Sequence, residues 1–462
     1  MSTQSKLNRP NIIVVLCDQL RPFELSCYGH PVVSTPCIDW LAEHGVKFEQ
    51  AVTNNPVCTP ARSCLLSGQY SRTCVGDLSN TIDESPPYQR NKFPNPTIAE
   101  ILKKFGYRTC LIGKWHIDAH PGLMGFDYYV YPKVHHLNKN QLYFDPSGRS
   151  FIVEGYASDY NKKILTSCLD EYQNSNEPFF IFYNIAMPHM PFFDVPEHYQ
   201  RYYSPSQVKL RDNVWINGEI AYDERWFKIY IWDYIYYMGY FDKELQLPAD
   251  FDLRSLTALY YGMVKYVDDQ VGEIINTLEK YNHLDDTIII FTSDHGDNLG
   301  SHHLFNKSQL YEESIRIPFI WYYPKLFRPA INQYQIAQII DVVPTILDLC
   351  DIDIPKYIQG QSLAPILLGD KEELSINQAF IETDRYHIGI RTPSHLFGMA
   401  INPEQPSIIN KDLFLFNLRD DPWQVHNKLL EQDEYKIFKD LRKALVRWHE
   451  NIPWFKGVKH SI

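Results

Sequence analysis

Short apolar segments alternate with amphipathic ones along most of the chain, and this alternation restricts the fold more than any other feature. Residues 11–16, 108–112, 179–184 and 287–292 have the length and apolar content of buried strands, and residues 256–281 carry apolar side chains at helical spacing. Parallel strands that are buried on both faces need helices on both sides. The pattern therefore predicts an α/β fold with a large, mostly parallel sheet sandwiched by helices.

Two regions depart from this alternation. Residues 192–253 are rich in Tyr and Trp without a clean period, and we interpret them as an insertion over the sheet edge. Its aromatic run at 226–241 either packs or lines a substrate subsite. The last part of the chain has short strand-like segments and a closing amphipathic helix, at 379–382, 387–391, 396–401, 413–418 and 436–450. We expect a catalytic domain at residues 1–370 and a smaller α+β domain with a short antiparallel sheet at residues 371–462.

The composition excludes several classes of protein. With 44% hydrophobic and 22% charged residues, the chain is neither a disordered tail nor a fibrous repeat. A net charge of −12 makes nucleic acid and anionic membranes poor partners. Apolar runs are too short for a membrane span or a secretory signal, so we expect no membrane association and a cytoplasmic location. Nine cysteines without framework spacing predict reduced thiols.

Acidic side chains follow two of the predicted strands. Asp18 lies just beyond the first strand, and Asp294 and His295 lie just beyond the strand at 287–292. Open α/β sheets bind ligands at the carboxyl ends of their strands. Two carboxylates and an imidazole in that place suit a divalent cation, and the alternative is that these residues only cap loops.

The segment around Cys58 has the features of a helix start that faces an anion. Thr59 can cap a helix, Pro60 suits its first turn, and Arg62 follows one turn later on the same side. Backbone N–H groups and the helix dipole at such an end favour anions. The spacing between Cys58 and Arg62 is too short for a phosphatase loop, and a buried cysteine beside a helix start is the alternative.

The segment CTPARSCLLSG resembles the Cys-x-Pro-x-Arg signature of the type I sulfatases, in the alkaline phosphatase superfamily. Further segments match the family in the expected order over nearly the whole chain: RPNIIVVLCDQ, TCLIGKWHID, AMPHMPF, TSDHGDNLGSHHLFNKSQLYEESIRIPF, GQSLAPILLG and FNLRDDPWQVHN. The resemblance implies an alkaline phosphatase-like fold. It also implies that Cys58 is oxidised to formylglycine (3-oxoalanine) by a maturation enzyme.

The resemblance assigns roles by position. It implies that one divalent metal ion is bound by five residues: Asp18, Gln19, Cys58, Asp294 and His295. It implies that the nucleophile and the ester oxygens are contacted by Arg62, Lys114, His116, His189 and Lys307, with His302 as a further substrate-binding candidate. Arg62 would hold the formylglycine, His189 or Lys307 would protonate the leaving alcohol, and His116 would take the proton that releases sulfate.

The implied activity is hydrolysis of a small anionic sulfate ester, as in arylsulfatases. The hydrated aldehyde supplies a nucleophilic oxygen that forms a covalent sulfo-enzyme, and its second hydroxyl then expels sulfate. The specificity for the alcohol is expected in the loops at 120–160 and 192–250, which no motif covers. The sequence leaves the natural alcohol and the oligomeric state open.

Two pairs of residues depart from the common family pattern. Asp18-Gln19 and Asp294-His295 stand where many sulfatases have Asp-Asp and Asp-Asn, so this site has one carboxylate fewer and one imidazole more. Ca²⁺ remains the first choice, with Mn²⁺ or Mg²⁺ as alternatives. Because the same pairs occur in phosphonate monoester hydrolases and choline-sulfatase-like relatives, hydrolysis of phosphonate monoesters or phosphodiesters is the alternative activity. A non-catalytic binding protein on this scaffold is the remote one.

Overall fold

A ten-stranded mixed sheet forms the framework of the protein. The computed structural model describes residues 9–455 with gaps at 81, 83, 89, 91, 174, 176, 217, 221–226, 228–229, 232–246, 403–406 and 410. The strands of this sheet are β1 (Asn11–Asp18), β2 (Val46–Phe48), β4 (Arg108–Gly113), β5 (Tyr128–Pro132), β6 (Lys139–Phe144), β7 (Ser150–Tyr156), β8 (Phe179–Pro188), β11 (Thr287–Ser293), β12 (Phe319–Tyr322) and β13 (Ala330–Asn332).

In the described part of the chain, shorter strands form three smaller sheets. Two of these are two-stranded and consist of β3 (Ala51–Val52) with β14 (Ala337–Gln338) and of β9 (Trp215–Ile216) with β10 (Glu219–Ile220). The third is a four-stranded antiparallel sheet of β15 (Ala379–Glu382), β16 (His387–Arg391), β17 (His395–Ala400) and β18 (Phe414–Asn417). The expectation of a short antiparallel sheet near the C-terminus is therefore confirmed.

The α-helices with described bounds are α1 (Pro36–His44), α2 (Cys58–Ser67), α3 (Ser71–Cys74), α4 (Ile98–Lys104), α5 (Ala157–Tyr172), α6 (Glu197–Gln200), α7 (Leu253–Lys280), α8 (Glu312–Ile315), α9 (Val342–Leu349), α10 (Ala364–Leu367) and α11 (Tyr435–Asn451). Longer amphipathic patterns gave the best predictions: α7 and α11 begin and end within a few residues of the predicted bounds. Among the described residues, no helix is long and apolar enough to cross a membrane.

The large sheet has a parallel centre and antiparallel margins, apart from the parallel pair β13 and β2 at one edge. Its order is β13-β2-β12-β11-β1-β8-β4-β5-β6-β7, and β11, β1, β8, β4 and β5 run parallel to one another. Leu16 on β1 stands beside Thr292 on one side and Asn184 on the other. The carboxyl ends of these central strands therefore meet at one edge of the sheet.

Both faces of the sheet are covered, as predicted. Alternate β1 residues enter different cores: Ile12 and Val14 belong to one cluster, and Ile13 and Val15 belong to the other. α2 and α9 pack into the first core and α7 into the second. Burial on both sides explains why β1 is a continuous apolar run instead of an alternating one.

The C-terminal sheet packs on the first of these cores. Ile388 and Ile390 of β16 and Leu445 of α11 belong to the same buried cluster as Ile12. The division into domains at residue 370 stays a prediction, because the two sheets share this hydrophobic core. Two family motifs, near 300–316 and 413–426, lie on opposite sides of that division.

Residues 120–160 are not the loop that the sequence suggested. They contain β5 and the antiparallel pair β6 and β7, which extends the sheet at its margin. The prediction missed this pair because both strands are half exposed and carry mixed side chains, so neither forms an apolar run. Most of the aromatic run at 226–241 lies outside the described residues.

Candidate active site

Four neighbouring strands each deliver one polar side chain to the same edge of the sheet. In spatial order β11, β1, β8 and β4 are followed by, or end in, Asp294, Asp18, His189 and Lys114. All four side chains are buried. The sequence predicted all of them as site residues, and parallel pairing of the strands explains why they meet.

The loops after β1 and β11 are tied to each other. The Asp294 backbone N–H donates to Cys17 O at 3.1 Å, and the Gln19 N–H donates to the Asp294 carboxylate at 3.0 Å. Gln19 adopts a left-handed backbone conformation, with φ of 65°. These bonds hold the two acidic side chains next to each other at the strand ends.

Cys58 begins α2 and lies at the centre of the cluster. Its Sγ atom is 2.9 Å from Lys307 Nζ and 3.3 Å from His295 Nε2. The expected helix start is confirmed, but the cap is not: Val57 is the N-cap residue, and the Thr59 hydroxyl donates to His116 O at 3.0 Å. Thr59 therefore connects the Cys58 helix to the segment that carries Lys114 and His116.

Arg62 binds the two carboxylates. Its guanidinium donates to Asp294 and to Asp18 at 3.1 Å each, and to Asn184 Oδ1 at 2.9 Å. A further bond goes to Lys114 O at 3.3 Å. Its predicted role, holding the nucleophile at position 58, stays a prediction, because its hydrogen bonds within the described part of the chain go to these four acceptors. The guanidinium therefore holds the two acidic side chains next to each other.

Lys114 and His116 enter the site through a close turn. Gly113 has φ of 88°, and a Cβ atom there would lie 2.2 Å from Asn184 O, so only glycine fits before Lys114. The Lys114 ammonium pairs with Asp18 and lies 3.1 Å from His136 Nδ1. His116 Nε2 donates to Ile82 O at 2.7 Å, which leaves Nδ1 as the atom with the lone pair.

Sequence reasoning missed two histidines of the site. His136 stacks on His189 with ring centroids 4.2 Å apart, and His135 stacks on His116 at 4.7 Å. Both are buried. They follow β5 in a segment without a family motif, and a tandem pair of histidines was the one signal that could have found them.

His302 lies against a different group of residues. Its ring stacks on Tyr311 at 3.7 Å, and its Nε2 atom is 3.1 Å from Asn213 Nδ2 and 3.6 Å from Glu313. Its described contacts are therefore not with the Cys58 cluster. The substrate-binding role assigned to it stays a prediction.

The cluster lowers the pKa of an acid at position 58. Burial opposes this, but Lys307, Lys114 and His295 hold the pKa of the Cys58 thiol well below its usual value. In return, despite burial, Cys58 raises the pKa of the Lys307 ammonium above its usual value. Burial lowers the pKa of His189 to about 4. The site is therefore built to stabilise negative charge at position 58.

The donor set fits a divalent cation. Ligand atoms of Asp18, Cys58, Asp294 and His295 all lie within 4.8 Å of one another, as they would around one ion. His295 Nδ1 donates to Gly296 O at 2.9 Å, so its Nε2 atom faces the cluster and, in the neutral ring, carries the lone pair that a cation would bind. Burial and the neighbouring Asp18 raise the pKa of Asp294, and a cation would offset that repulsion.

Comparisons with known proteins agree with this geometry. The model of the sulfatase family matches residues 10–352, and that of the N-sulphoglucosamine sulphohydrolase C-terminal region matches residues 300–451. An N-acetylglucosamine-6-O-sulfatase of Bacteroides thetaiotaomicron is 28% identical, over 79% of this chain and 72% of its own length. An arylsulfatase of Clostridium perfringens is also 28% identical, over 95% of this chain and 94% of its own.

A solved structure shows the same fold with a ligand. It is a complex of a protein with its substrate, D-glucosamine-2-N,6-O-disulfate, and it superposes with a TM-score of 0.78 and 25% identity. The match covers 97% of this chain and all of the other. Sulfatases of this kind use a metal ion and a formylglycine, and a buried cluster able to hold a metal is present here. The chain belongs to the sulfatase family and is a hydrolase of sulfate monoesters.

Proposed function

We propose that this enzyme hydrolyses the sulfate ester of a sugar, with residue 58 as formylglycine and Ca²⁺ as its metal ion. One observation carries the proposal: Cys58 Sγ is fully buried, lies 2.9 Å from Lys307 Nζ and belongs to the cluster of possible metal ligands. A thiol has no easy way to release sulfate after forming a bond to it, whereas a hydrated aldehyde has one. The maturation enzyme that makes formylglycine is the partner that this reading requires.

The choice of Ca²⁺ follows from the donor chemistry. Asp18, Asp294 and the Gln19 amide offer oxygen atoms, which hard cations prefer. His295 adds one imidazole nitrogen, which makes Mn²⁺ the competing ion. When bound, the cation supplies positive charge beside residue 58 and the ester. Metal analysis of the purified protein decides between the two ions.

The cationic side chains of the site bind the ester anion. Lys114 and Lys307 flank the position of Cys58, and both are buried, so their charges act with little screening by water. Asp18 pairs with Lys114 and keeps its ammonium in place. These contacts orient the sulfate group for attack by the oxygen atom at position 58.

The leaving alcohol receives its proton from Lys307 in this proposal. The sequence left Lys307 and His189 as alternatives. Despite burial, and besides Cys58, the carboxylates Asp18 and Asp294 raise the pKa of Lys307, so its ammonium stays protonated at neutral pH when residue 58 is formylglycine. Burial lowers the pKa of His189 to about 4, which leaves that ring neutral. His189 Nδ1 donates to Met190 O at 2.6 Å, so its Nε2 atom is an acceptor that can orient the substrate through a hydroxyl group of the sugar.

The step that releases sulfate needs a base near residue 58. His116 supplies it: its Nε2 atom donates to Ile82 O, so the lone pair is on Nδ1, and burial lowers the pKa of the ring. His116 also helps to lower the pKa of Cys58 through a side-chain hydrogen bond, which supports a role for this ring beside residue 58. The neutral imidazole can therefore take the proton of the second hydroxyl group.

A sugar alcohol is supported by the relatives. One acts on N-acetylglucosamine 6-O-sulfate by its name, and the superposed structure holds a glucosamine disulfate. The test is a comparison of kcat/KM for glucosamine 6-sulfate, an aryl sulfate, a phosphonate monoester and a phosphodiester. We expect the sulfate esters to lead and the sugar sulfate to exceed the aryl sulfate. A higher kcat/KM for the phosphonate would replace the proposed function.

Phosphonate monoester and phosphodiester hydrolysis is the second candidate. Gln19 and His295 favour it, because the pairs Asp18-Gln19 and Asp294-His295 resemble those of phosphonate monoester hydrolases. The buried Lys114 and His116 of the Gly-Lys-Trp-His segment favour the sulfate ester, because that segment is more typical of sulfatases. The same substrate panel separates the two candidates.

A further inference from the structure

The side-chain amide of Gln19 is oriented by its neighbours on both sides. Gln19 Oε1 accepts a hydrogen bond from Lys307 Nζ at 3.0 Å and faces the Cys58 cluster. Gln19 Nε2 donates to the Asp297 carboxylate and to Asn306 Oδ1, the latter at 3.3 Å. The amide oxygen therefore points toward the proposed metal site and the amide nitrogen points away from it.

An amide ligand has a requirement that a carboxylate ligand lacks. Both oxygens of a carboxylate can bind a cation, but only the oxygen of an amide can, and a rotation of the amide exchanges it for an N–H₂ group of nearly the same size. An ionised carboxylate behind the nitrogen prevents that rotation, since it only accepts hydrogen bonds. Asp297 stands in this position behind Gln19.

Asp297 is itself held in place. It is fully buried, and its second oxygen accepts from the Leu299 N–H at 2.8 Å. Arg21 donates to its backbone O at 3.2 Å. A Cβ atom on the preceding Gly296 would lie 2.0 Å from Glu313 O, so the chain passes the neighbouring backbone too closely for another residue. These restraints keep the carboxylate directed at Gln19.

The aromatic insertion supplies the last contact. The Tyr230 hydroxyl donates to the same Asp297 oxygen that accepts from Gln19. The Tyr230 ring is 4% exposed and packs on Phe305 and Phe192, with ring centroids 5.3 and 5.5 Å away. Tyr230 therefore packs within the core, and its hydroxyl group connects the insertion to the site.

We propose that Asp297 is a positioning residue for the metal ion, which keeps the Gln19 amide oxygen on the metal side, and that Tyr230 holds Asp297 for this purpose. The inference rests on the proposed metal site. Many sulfatases have an Asp at the position of Gln19, and in this protein the corresponding carboxylate is that of Asp297. The negative charge of that carboxylate is thereby kept near the ion, but it acts through Gln19 instead of binding the ion directly.

The test measures binding of Ca²⁺ and Mn²⁺ to the metal-stripped, full-length protein by calorimetry, together with the Tm of the stripped protein. Asp297→Asn should weaken binding by about 10- to 100-fold, because its amide leaves Gln19 free to rotate. Tyr230→Phe should weaken binding less, by about 10-fold at most. Asp268→Asn is the matched control: Asp268 is equally buried but accepts from the Cys37 and Ile38 N–H groups, and its loss should leave metal affinity unchanged.

A compensating variant separates positioning from packing. In Gln19→Glu/Asp297→Asn the carboxylate moves to the ligand position and needs no orientation, so affinity should return to within about tenfold of wild type. Wild-type affinity in Asp297→Asn, or no recovery in the double variant, overturns the inference alone. Failure of the wild-type protein to bind either ion refutes the metal site and the inference with it.

Discussion

Two arginines on consecutive helices are fully buried, and their surroundings differ. Arg62 on α2 donates to Asp18 and Asp294 at the edge of the large sheet. Arg72 on α3 donates to Glu382 at 2.5 Å and lies over the faces of two indole rings near the C-terminus, those of Trp448 and Trp454. Each guanidinium is paired, but only the first is surrounded by further charge.

The difference shows what a buried charge is used for. Around Arg62 the lysines Lys114 and Lys307 add positive charge that an ester anion can neutralise. The charge of Arg72 is balanced by one carboxylate, and two aromatic faces also stabilise the guanidinium, so no bound anion is needed there. The first cluster is preorganised for chemistry, and the second attaches the C-terminal helix to the core.

The largest expected effect is on the catalytic side of this comparison. Cys58→Ala should lower turnover of a sulfate ester by about 10⁴-fold or more, because the nucleophile is lost. The fold should remain, with Tm within about 4 °C of wild type. Kinetics on the purified variant and a thermal melt measure both. Residual activity within tenfold of wild type would contradict the assignment of Cys58.

Arg72→Met should lower the stability of the protein but not its turnover. Glu382 would be left buried without its partner, which should lower the free energy of unfolding by about 3–5 kcal/mol. The kcat of the remaining folded protein should be unchanged. Arg108→Met is the control, since Arg108 is 35% exposed with its ion pairs at the surface, and it should cost about 1 kcal/mol or less. Equal losses in the two variants would refute the structural role.

Lys307→Ala tests the excess positive charge of the site. Its removal should lower kcat by about 10²-fold, because one cation that stabilises the developing charge is missing. Lys265→Ala is the control, because Lys265 pairs with Asp268 and Asp269 within α7 and should leave kcat unchanged. Wild-type turnover in Lys307→Ala would remove Lys307 from the mechanism.

Two buried carboxyl groups, Asp18 and Asp341, differ in the same way, and their pKa values shift in opposite directions. Cations around Asp18 hold its pKa below the usual range despite burial, whereas burial raises the pKa of Asp341 to about 7, where only the Gln338 and Gln361 N–H groups oppose it. Since the folded pKa of Asp341 exceeds the unfolded one, stability should fall as pH rises from about 5 to 7, by about 2 kcal/mol at most.

Denaturant unfolding at several pH values measures this effect. In Asp341→Asn the free energy of unfolding should fall less between pH 5 and 7 than in the wild type, because the titrating group is gone. The variant also loses one of the two backbone hydrogen bonds. An unchanged slope in this variant would show that Asp341 titrates at its ordinary pKa.

The sequence predicted the parts of this protein that depend on local patterns. The strand that ends at Asp18 and the helix that begins at Cys58 are read from apolar runs and helix-start residues. Asp294 and His295 were predicted because they follow a buried strand. The family motif then identified which of these ends belong to one site.

The rest depends on contacts that no local pattern encodes. His136 reaches the site because β5 lies beside β4, and Tyr230 reaches Asp297 from an insertion without period. The partners of Arg62 turned out to be the carboxylates, a choice that the Cys-x-Pro-x-Arg spacing does not specify. Long-range pairing of this kind requires the three-dimensional structure.

Mass spectrometry of the peptide that carries residue 58, from protein made in its native host, tests the central claim most directly. The account predicts the mass of formylglycine at this position, with sulfatase activity proportional to the modified fraction. Full activity in protein whose residue 58 is entirely unmodified cysteine would contradict it.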